Sequence, residues 1–279
     1  MITYHRLTEN NIDLTSAIAG HTADKSIVYK IVQGEPMYLG YFLPENFDCR
    51  ENYPTFLMIH GGGWSTHKVF HGQEHWAGDY LGYLARYYAQ KGFVAVSMDY
   101  RLIRKNGQEP EYGILECYED CCDAVDYVID HAADYGVDVD NMFLLGESAG
   151  GYLAGGLITF HDDRRYRFKR AFLVNAITDL HDEKWSWVIC SQKRKILSPL
   201  HQVDRDTCEV ILMHGEEDTT VDPKQSGSFY DRLQSLGITS ELHIMKETRH
   251  AFLLAEYYQD IRACKLAIQI INEVLDVQI

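Results

Sequence analysis

Met142-Phe143-Leu144-Leu145-Gly146-Glu147-Ser148-Ala149-Gly150-Gly151-Tyr152-Leu153-Ala154 decides the architecture. The first five residues form a short, strongly apolar run, as a strand buried on both faces requires. From Ala149 to Phe160 the apolar residues recur at helical spacing instead. The joint between them reads Gly-x-Ser-x-Gly, and small residues are needed there because a tight strand-to-helix turn brings neighbouring backbone close. The turn lifts the Ser148 hydroxyl above the sheet edge at a helix N-terminus, where it is exposed for chemistry.

Outward from this joint the same alternation continues. Thr55 to His60, Phe93 to Asp99, Ala171 to Ala176, Val210 to His214 and Glu241 to Met245 read as further buried strands. Ile27 to Val32 and Met37 to Leu43 read as an antiparallel edge closed by a turn at Pro44 and Asn46. Helical patterns occupy His75 to Gln90, Leu115 to Tyr135, Lys224 to Leu236 and Ala251 to Val274. The βαβα order predicts an α/β fold, a mostly parallel central sheet with helices on both faces. Residues 179 to 206 are polar and tryptophan-containing, without a clear period, and are expected to form a lid or pocket wall. No repeat or linker divides the chain, so 1–279 is expected to be a single domain.

A serine nucleophile needs donors for the developing oxyanion, a base and a carboxylate that orients the base. His60-Gly61-Gly62-Gly63-Trp64 follows the strand ending at His60. Its glycines leave N–H groups unobstructed, and each donor aimed at an oxyanion is worth about 3–4 kcal/mol. Gly62, Gly63 and Ala149 are the expected donors. GGGWSTHK has neither the Walker spacing nor G-x-G-x-x-G, which argues against a phosphate loop. Asp218 follows the strand ending at His214, with Glu217 and Asp222 as neighbouring alternatives. His250 follows the strand near Met245. The chain order Ser, Asp, His is the order this architecture uses.

Taken together, HGGGW, DYRL at Asp99 to Leu102, GESAGG, SPLH at Ser198 to His201, HGEED and RHAF resemble the esterase branch of the α/β-hydrolases, across nearly the whole chain. The resemblance is to hormone-sensitive-lipase-like esterases and to compact carbohydrate esterases that remove acetyl or feruloyl groups from xylan. It implies catalytic roles for Ser148, Asp218 and His250, an oxyanion loop at Gly62 and Gly63, and hydrolysis of short-acyl or small aromatic esters. Kynurenine formamidases are similar in loop and triad, so an arylformamidase is the rival expectation. A binding protein that lost catalysis would lack a triad member, and here all three residue types are present. About fifty residues precede the HGGGW strand and most read as strands, unlike the helical cap of lipase-like members.

Among secondary candidates, Trp64, Trp185 and Trp187 suggest aromatic platforms for a sugar ring or aromatic acyl group. His67, His71 and His75 recur every four residues, a spacing that could ligate metal. No carboxylate completes a motif and a serine triad needs no metal, so no metal and no cofactor are expected, with His71 at the pocket rim. Asp99 and Arg101 read as a structural charge pair. Cys117, Cys121 and Cys122 lack a matching ligand pair and read as core residues.

Composition narrows the partners. A formal net charge of -15 at pH 7 repels phosphate backbones and anionic lipid, so a small-molecule ester is expected and neither nucleic acid nor membrane. Residues 1–16 lack a basic region followed by an apolar one, and seven scattered cysteines suit a reducing compartment, so a cytoplasmic location is expected. Oligomeric state has no signature in the sequence.

Overall fold

The computed structural model describes residues 1–65, 81–103, 112–160, 166–181, 183–185, 187–188, 193–254 and 261–277. The expected buried runs become strands: Tyr53–Ile59 (β4), Val94–Met98 (β5), Val137–Glu147 (β6), Arg170–Val174 (β7), Glu209–Gly215 (β8) and Ser240–Met245 (β9). Before them lie Ile2–His5 (β1), Lys25–Val32 (β2) and Glu35–Phe42 (β3). Among the described residues these nine strands form one sheet, in the order β1-β9-β8-β7-β6-β4-β5-β3-β2. β2 and β3 pair antiparallel, as does β3 with β5, while every other neighbouring pair is parallel. This is the α/β-hydrolase architecture.

The helices are Thr15–Ala19 (α1), Gly82–Gln90 (α2), Ile114–Asp130 (α3), Ala132–Tyr135 (α4), Ala149–Thr159 (α5), Pro199–Gln202 (α6), Lys224–Ser235 (α7) and Arg262–Leu275 (α8). Strand alternation splits the core in two. From β4, Leu57 and Ile59 face a cluster with residues of α3, α5 and α7, whereas Phe56 and Met58 face a second cluster with α1, α2 and α8. A fully buried side chain of this size contributes roughly 1.5–3 kcal/mol, so both faces of the central strands carry large apolar gains. Every residue of α5 is buried, as expected for a helix covered by its neighbours as well as by the sheet.

Several boundaries differ from the sequence reading. β1, only four residues with alternating exposure, adds a parallel edge strand beside β9 that was not anticipated. β6 begins five residues before Met142, because Val137 pairs with Tyr53 across a register shift. The pattern over 115–135 is divided at His131 into α3 and α4, and α4 ends at Gly136, which adopts φ 60°. α8 starts at Arg262 rather than 251, with residues 251–254 in a turn. Arg101 does not pair with Asp99. It makes a bidentate contact with the fully buried Asp120 carboxylate on α3 (Nε to Oδ2 2.7 Å, Nη2 to Oδ1 2.6 Å), which also takes Lys30 at 2.6 Å. The physical reason is burial: a carboxylate withdrawn from water needs cationic donors at close range.

Candidate active site

Ser148 occupies φ 55°, ψ −116°, a conformation that costs a non-glycine residue about 1–3 kcal/mol and persists only where surrounding structure enforces it. Two features enforce it. The Ser148 N–H donates to the Val174 carbonyl on β7 at 2.8 Å, and its carbonyl accepts the Tyr152 N–H of α5 at 3.1 Å. Gly150 lets α5 press against the end of β4, since a Cβ there would sit 2.2 Å from the Ile59 oxygen and 2.4 Å from that of His60. The small residues of the motif are therefore demanded by space. The contact also seats the start of α5 on the His60–Trp64 loop.

Asp218 and His250 come from the next crossing loops. Gly215, at the end of β8, would place a Cβ 2.4 Å from the Thr248 carbonyl, so only glycine admits the loop that follows β9. The Glu217 N–H then donates to that same Thr248 carbonyl at 2.9 Å, lacing the two loops together. The result is a relay. Ser148 Oγ lies 2.8 Å from His250 Nε2, and His250 Nδ1 lies 2.6 Å from Asp218 Oδ2. Facing a carboxylate, Nδ1 of the neutral ring carries the proton, leaving Nε2 to accept from the serine hydroxyl. Glu217 and Asp222 are exposed and Asp218 is buried, so the geometry selects Asp218 among the three.

The Asp218 carboxylate has more partners than the sequence suggested. Oδ1 accepts the N–H groups of Thr220 (2.8 Å) and Val221 (2.9 Å). Oδ2 also faces Nε2 of the fully buried His214 at 3.2 Å. That nitrogen lies 3.0 Å from the Val221 carbonyl, while Nδ1 lies 2.7 Å from Ser226 Oγ. With two acceptors before it, Nε2 must bear the His214 proton, and Nδ1 accepts from the Ser226 hydroxyl. Burial alone would raise the Asp218 carboxyl, but the hydrogen bonds from His214 and His250 outweigh it and hold the group well below the ordinary carboxylate range. His214 went unrecognised because it reads in sequence only as the end of an apolar strand.

In the loop after β4, Gly62, Gly63 and Trp64 all have positive φ, at 98°, 60° and 53°. Its carbonyls are taken by protein donors. The Tyr100 hydroxyl lies 3.0 Å from the His60 oxygen and 3.1 Å from that of Gly61, His60 Nδ1 donates to Gly61 at 2.7 Å, and the Ser65 N–H reaches the Gly62 oxygen at 3.1 Å. His60 stacks on Tyr100 at 4.5 Å, and burial lowers its imidazole to about 4, so the ring stays neutral. Tyr100 is a second residue whose importance emerges only in the structure. Ala149 is fully buried at the first position of α5.

Trp64 is fully buried and meets Tyr152, Trp185 and Trp187 edge to face at centroid distances of 5.6, 5.7 and 6.2 Å. The 179–206 stretch thus contributes a wall against the loop after β4, through a 3-10 turn at Glu183–Trp185, and Trp187 keeps a partly exposed face. His67, His71 and His75 lie outside the described residues. Cys117, Cys121 and Cys122 are buried in α3 and form no disulfide among the described residues.

An activated serine, an oriented imidazole and a buried carboxylate, held at the C-terminal ends of strands in this fold, define the class of the α/β-hydrolases with a serine-histidine-aspartate constellation. The chain belongs to the BD-FAE family, whose model matches residues 39–183, just over half of its length. It is similar to the probable carboxylic ester hydrolase LipM of Mycobacterium tuberculosis, with 24% identity over 246 residues covering 78% of this chain and 54% of that protein. The chain therefore spans about half the length of that relative. It is also similar to kynurenine formamidase of Danio rerio, with 24% identity over 245 residues covering 82% and 75% of the two chains. In architecture it matches the apo form of Thermogutta terrifontis esterase 2, with a TM-score of 0.77, 23% identity, and coverage of 90% and 93%. No helix among the described residues is long and apolar enough to cross a membrane.

Proposed function

We propose that this protein is a serine carboxylic ester hydrolase acting on short-acyl or small aromatic esters, including acetylated sugars. The observation that carries the reading is the relay from Ser148 Oγ through His250 to Asp218 at 2.8 and 2.6 Å. In the first half-reaction Ser148 Oγ attacks the ester carbonyl carbon as His250 Nε2 takes the hydroxyl proton. The N–H groups of Gly62, Gly63 and Ala149 receive the oxyanion. The tetrahedral intermediate collapses, the C–O bond to the alcohol breaks, and His250 returns the proton to the leaving oxygen. Water then attacks the acyl-serine with His250 again as base, releasing the acid and restoring Ser148. Asp218 keeps the imidazole in the correct tautomer and stabilises its cation throughout.

The substrate class is supported by the aromatic cluster of Trp64, Trp185 and Trp187, in which Trp64 and Trp185 are buried and so do not serve as open platforms while Trp187 keeps a partly exposed face. It is supported also by the mixed charges of Asp182, Glu183, Lys184, Lys193, Arg194 and Lys195 in the same stretch. Each CH₂ buried in an apolar groove is worth about 0.8 kcal/mol, so an enzyme with a long groove gains steadily with chain length. Here kcat/KM is expected to peak at C2 to C4 in a series of p-nitrophenyl esters from C2 to C12. A maximum at C8 or beyond would overturn the short-acyl reading. Absence of fluorophosphonate labelling at Ser148 would overturn hydrolysis altogether. An arylformamidase is the second reading, favoured by the relative from Danio rerio, and turnover of N-formylkynurenine exceeding that of acetylated xylo-oligosaccharides would establish it.

The same proposal places the enzyme as one domain built on one sheet, working on small molecules in a reducing cytoplasm. Six cysteines outside any disulfide among the described residues and the acidic charge support that setting.

A further inference from the structure

Beyond the serine site, the described residues bring one trio of metal-ligating side chains together. Asp179, His181 and His201 place one carboxylate oxygen and two ring nitrogens within 4.8 Å of one another. His181 Nδ1 lies 2.6 Å from Asp179 Oδ1, and His201 Nε2 faces the same oxygen at 3.7 Å, too far for a hydrogen bond. The two rings meet edge to face at 5.2 Å. We propose that these three residues bind a first-row divalent metal ion of the zinc class, and that the ion clips the two ends of the tryptophan wall together.

Donor type and spacing both favour this ion. Two imidazoles and one carboxylate suit zinc or its neighbours, whereas calcium and magnesium require sets made of oxygen. Bonds of about 2.0–2.1 Å in a tetrahedral site put ligand atoms about 3.3 Å apart, between the two separations seen here. With all three donor atoms already within 4.8 Å of one another, shifts of less than about 1 Å in each donor bring them into place. The fourth position faces solvent, which suits water, since His181 and His201 are exposed.

The backbone under the trio is anchored, as metal sites require. The Asp179 N–H donates to Gln225 Oε1 at 2.7 Å and its carbonyl accepts Gln225 Nε2 at 3.0 Å, tying it to α7. The Leu200 N–H donates to Thr178 at 2.9 Å, which sets α6 and His201 beside Asp179. The chain leaves His181, passes through Trp185 and Trp187 against Trp64, and returns at His201. A metal bridging 181 and 201 therefore ties together the two ends of the stretch that carries Trp185 and Trp187.

The test uses the full chain, stripped with EDTA, dialysed and titrated with zinc sulphate in a calorimeter, with thermal melts alongside. The wild type is expected to bind one equivalent of zinc and to gain in Tm. His181→Ala and His201→Ala are expected to lose that equivalent or bind it at least about tenfold more weakly. Unchanged metal-free Tm values would show that both variants fold. Zinc binding by both variants as tight as wild type, or no binding by the wild type, would overturn the proposal. Neither result bears on the serine site, because no variant touches Ser148, His250 or Asp218.

Discussion

The crest of the sheet and the stretch between β7 and β8 position their side chains by different means. At the crest, Ser148, Asp218 and His250 each follow a strand end, and glycines at 150 and 215 let the backbone segments close to distances that a Cβ would forbid. Among the described residues of 179–206 side chains do much of the holding: Trp185 and Trp187 meet Trp64 edge to face, Gln225 binds Thr178 and Asp179, and Ser198 donates to the Arg194 carbonyl. Backbone-fixed positions have little freedom to drift, which suits groups that must meet within hydrogen-bonding distance. Positions held by side chains can be rebuilt without disturbing the sheet, which suits the substrate-facing role proposed for this stretch.

The largest test of the contrast is Ser148→Ala, expected to lower kcat by roughly 10⁴-fold or more while leaving circular dichroism and Tm nearly unchanged. Retention of more than about a hundredth of wild-type kcat would remove the crest from the chemistry. Asp218→Asn comes next, with a fall of about 10⁴-fold in kcat and a small change in KM, because the carboxamide stabilises the wrong imidazole tautomer. Glu217→Gln should be mild, and the reverse ranking would transfer the role to the neighbour.

Stability is the third measure. Asp120→Asn should cost on the order of 3 kcal/mol in a urea melt at neutral pH, because Arg101 and Lys30 lose their buried counter-charge. Burial raises the Asp120 carboxyl, but the Arg101 and Lys30 hydrogen bonds outweigh it and hold it below its ordinary value. Its contribution is thus complete above the ordinary carboxylate range and is lost as pH falls toward the depressed value. The variant should show a flatter acid limb as pH falls through and below the ordinary carboxylate range, and an unchanged slope would place the acid sensitivity elsewhere. His214→Gln should lower kcat about tenfold, the scale of one hydrogen bond to a charged group, with KM little altered. An equal change in KM would make His214 merely structural. The smallest effect belongs to the wall: Trp187→Ala is expected to raise KM a few-fold with kcat nearly constant, and a fall in kcat alone would erase the distinction between the two regions.

The triad and the βαβα order were legible because each is written in local signals, an apolar run followed by a short segment with a chemical residue. Arg101 shows where that legibility stops. Its neighbour Asp99 lies two positions away in sequence, yet the carboxylate it binds is on α3, nineteen residues on, and which acid is reachable depends on how α3 packs. β1 escaped notice because four residues are too few for their alternation to stand out, and its pairing with β9 spans almost the entire chain.

By itself the sequence determined the fold class, the strand-to-helix joint at Ser148 and the chain order of the proposed nucleophile, acid and base, since steric demands on glycine and the periodicity of burial act over a few residues. Only the tertiary structure decided that His214 shares the Asp218 carboxylate, that Tyr100 holds the carbonyls of the His60–Trp64 loop, and that Asp179, His181 and His201 converge. Those contacts join residues brought together by crossovers and by burial of whole faces. Their free energy depends on distances that no local pattern encodes.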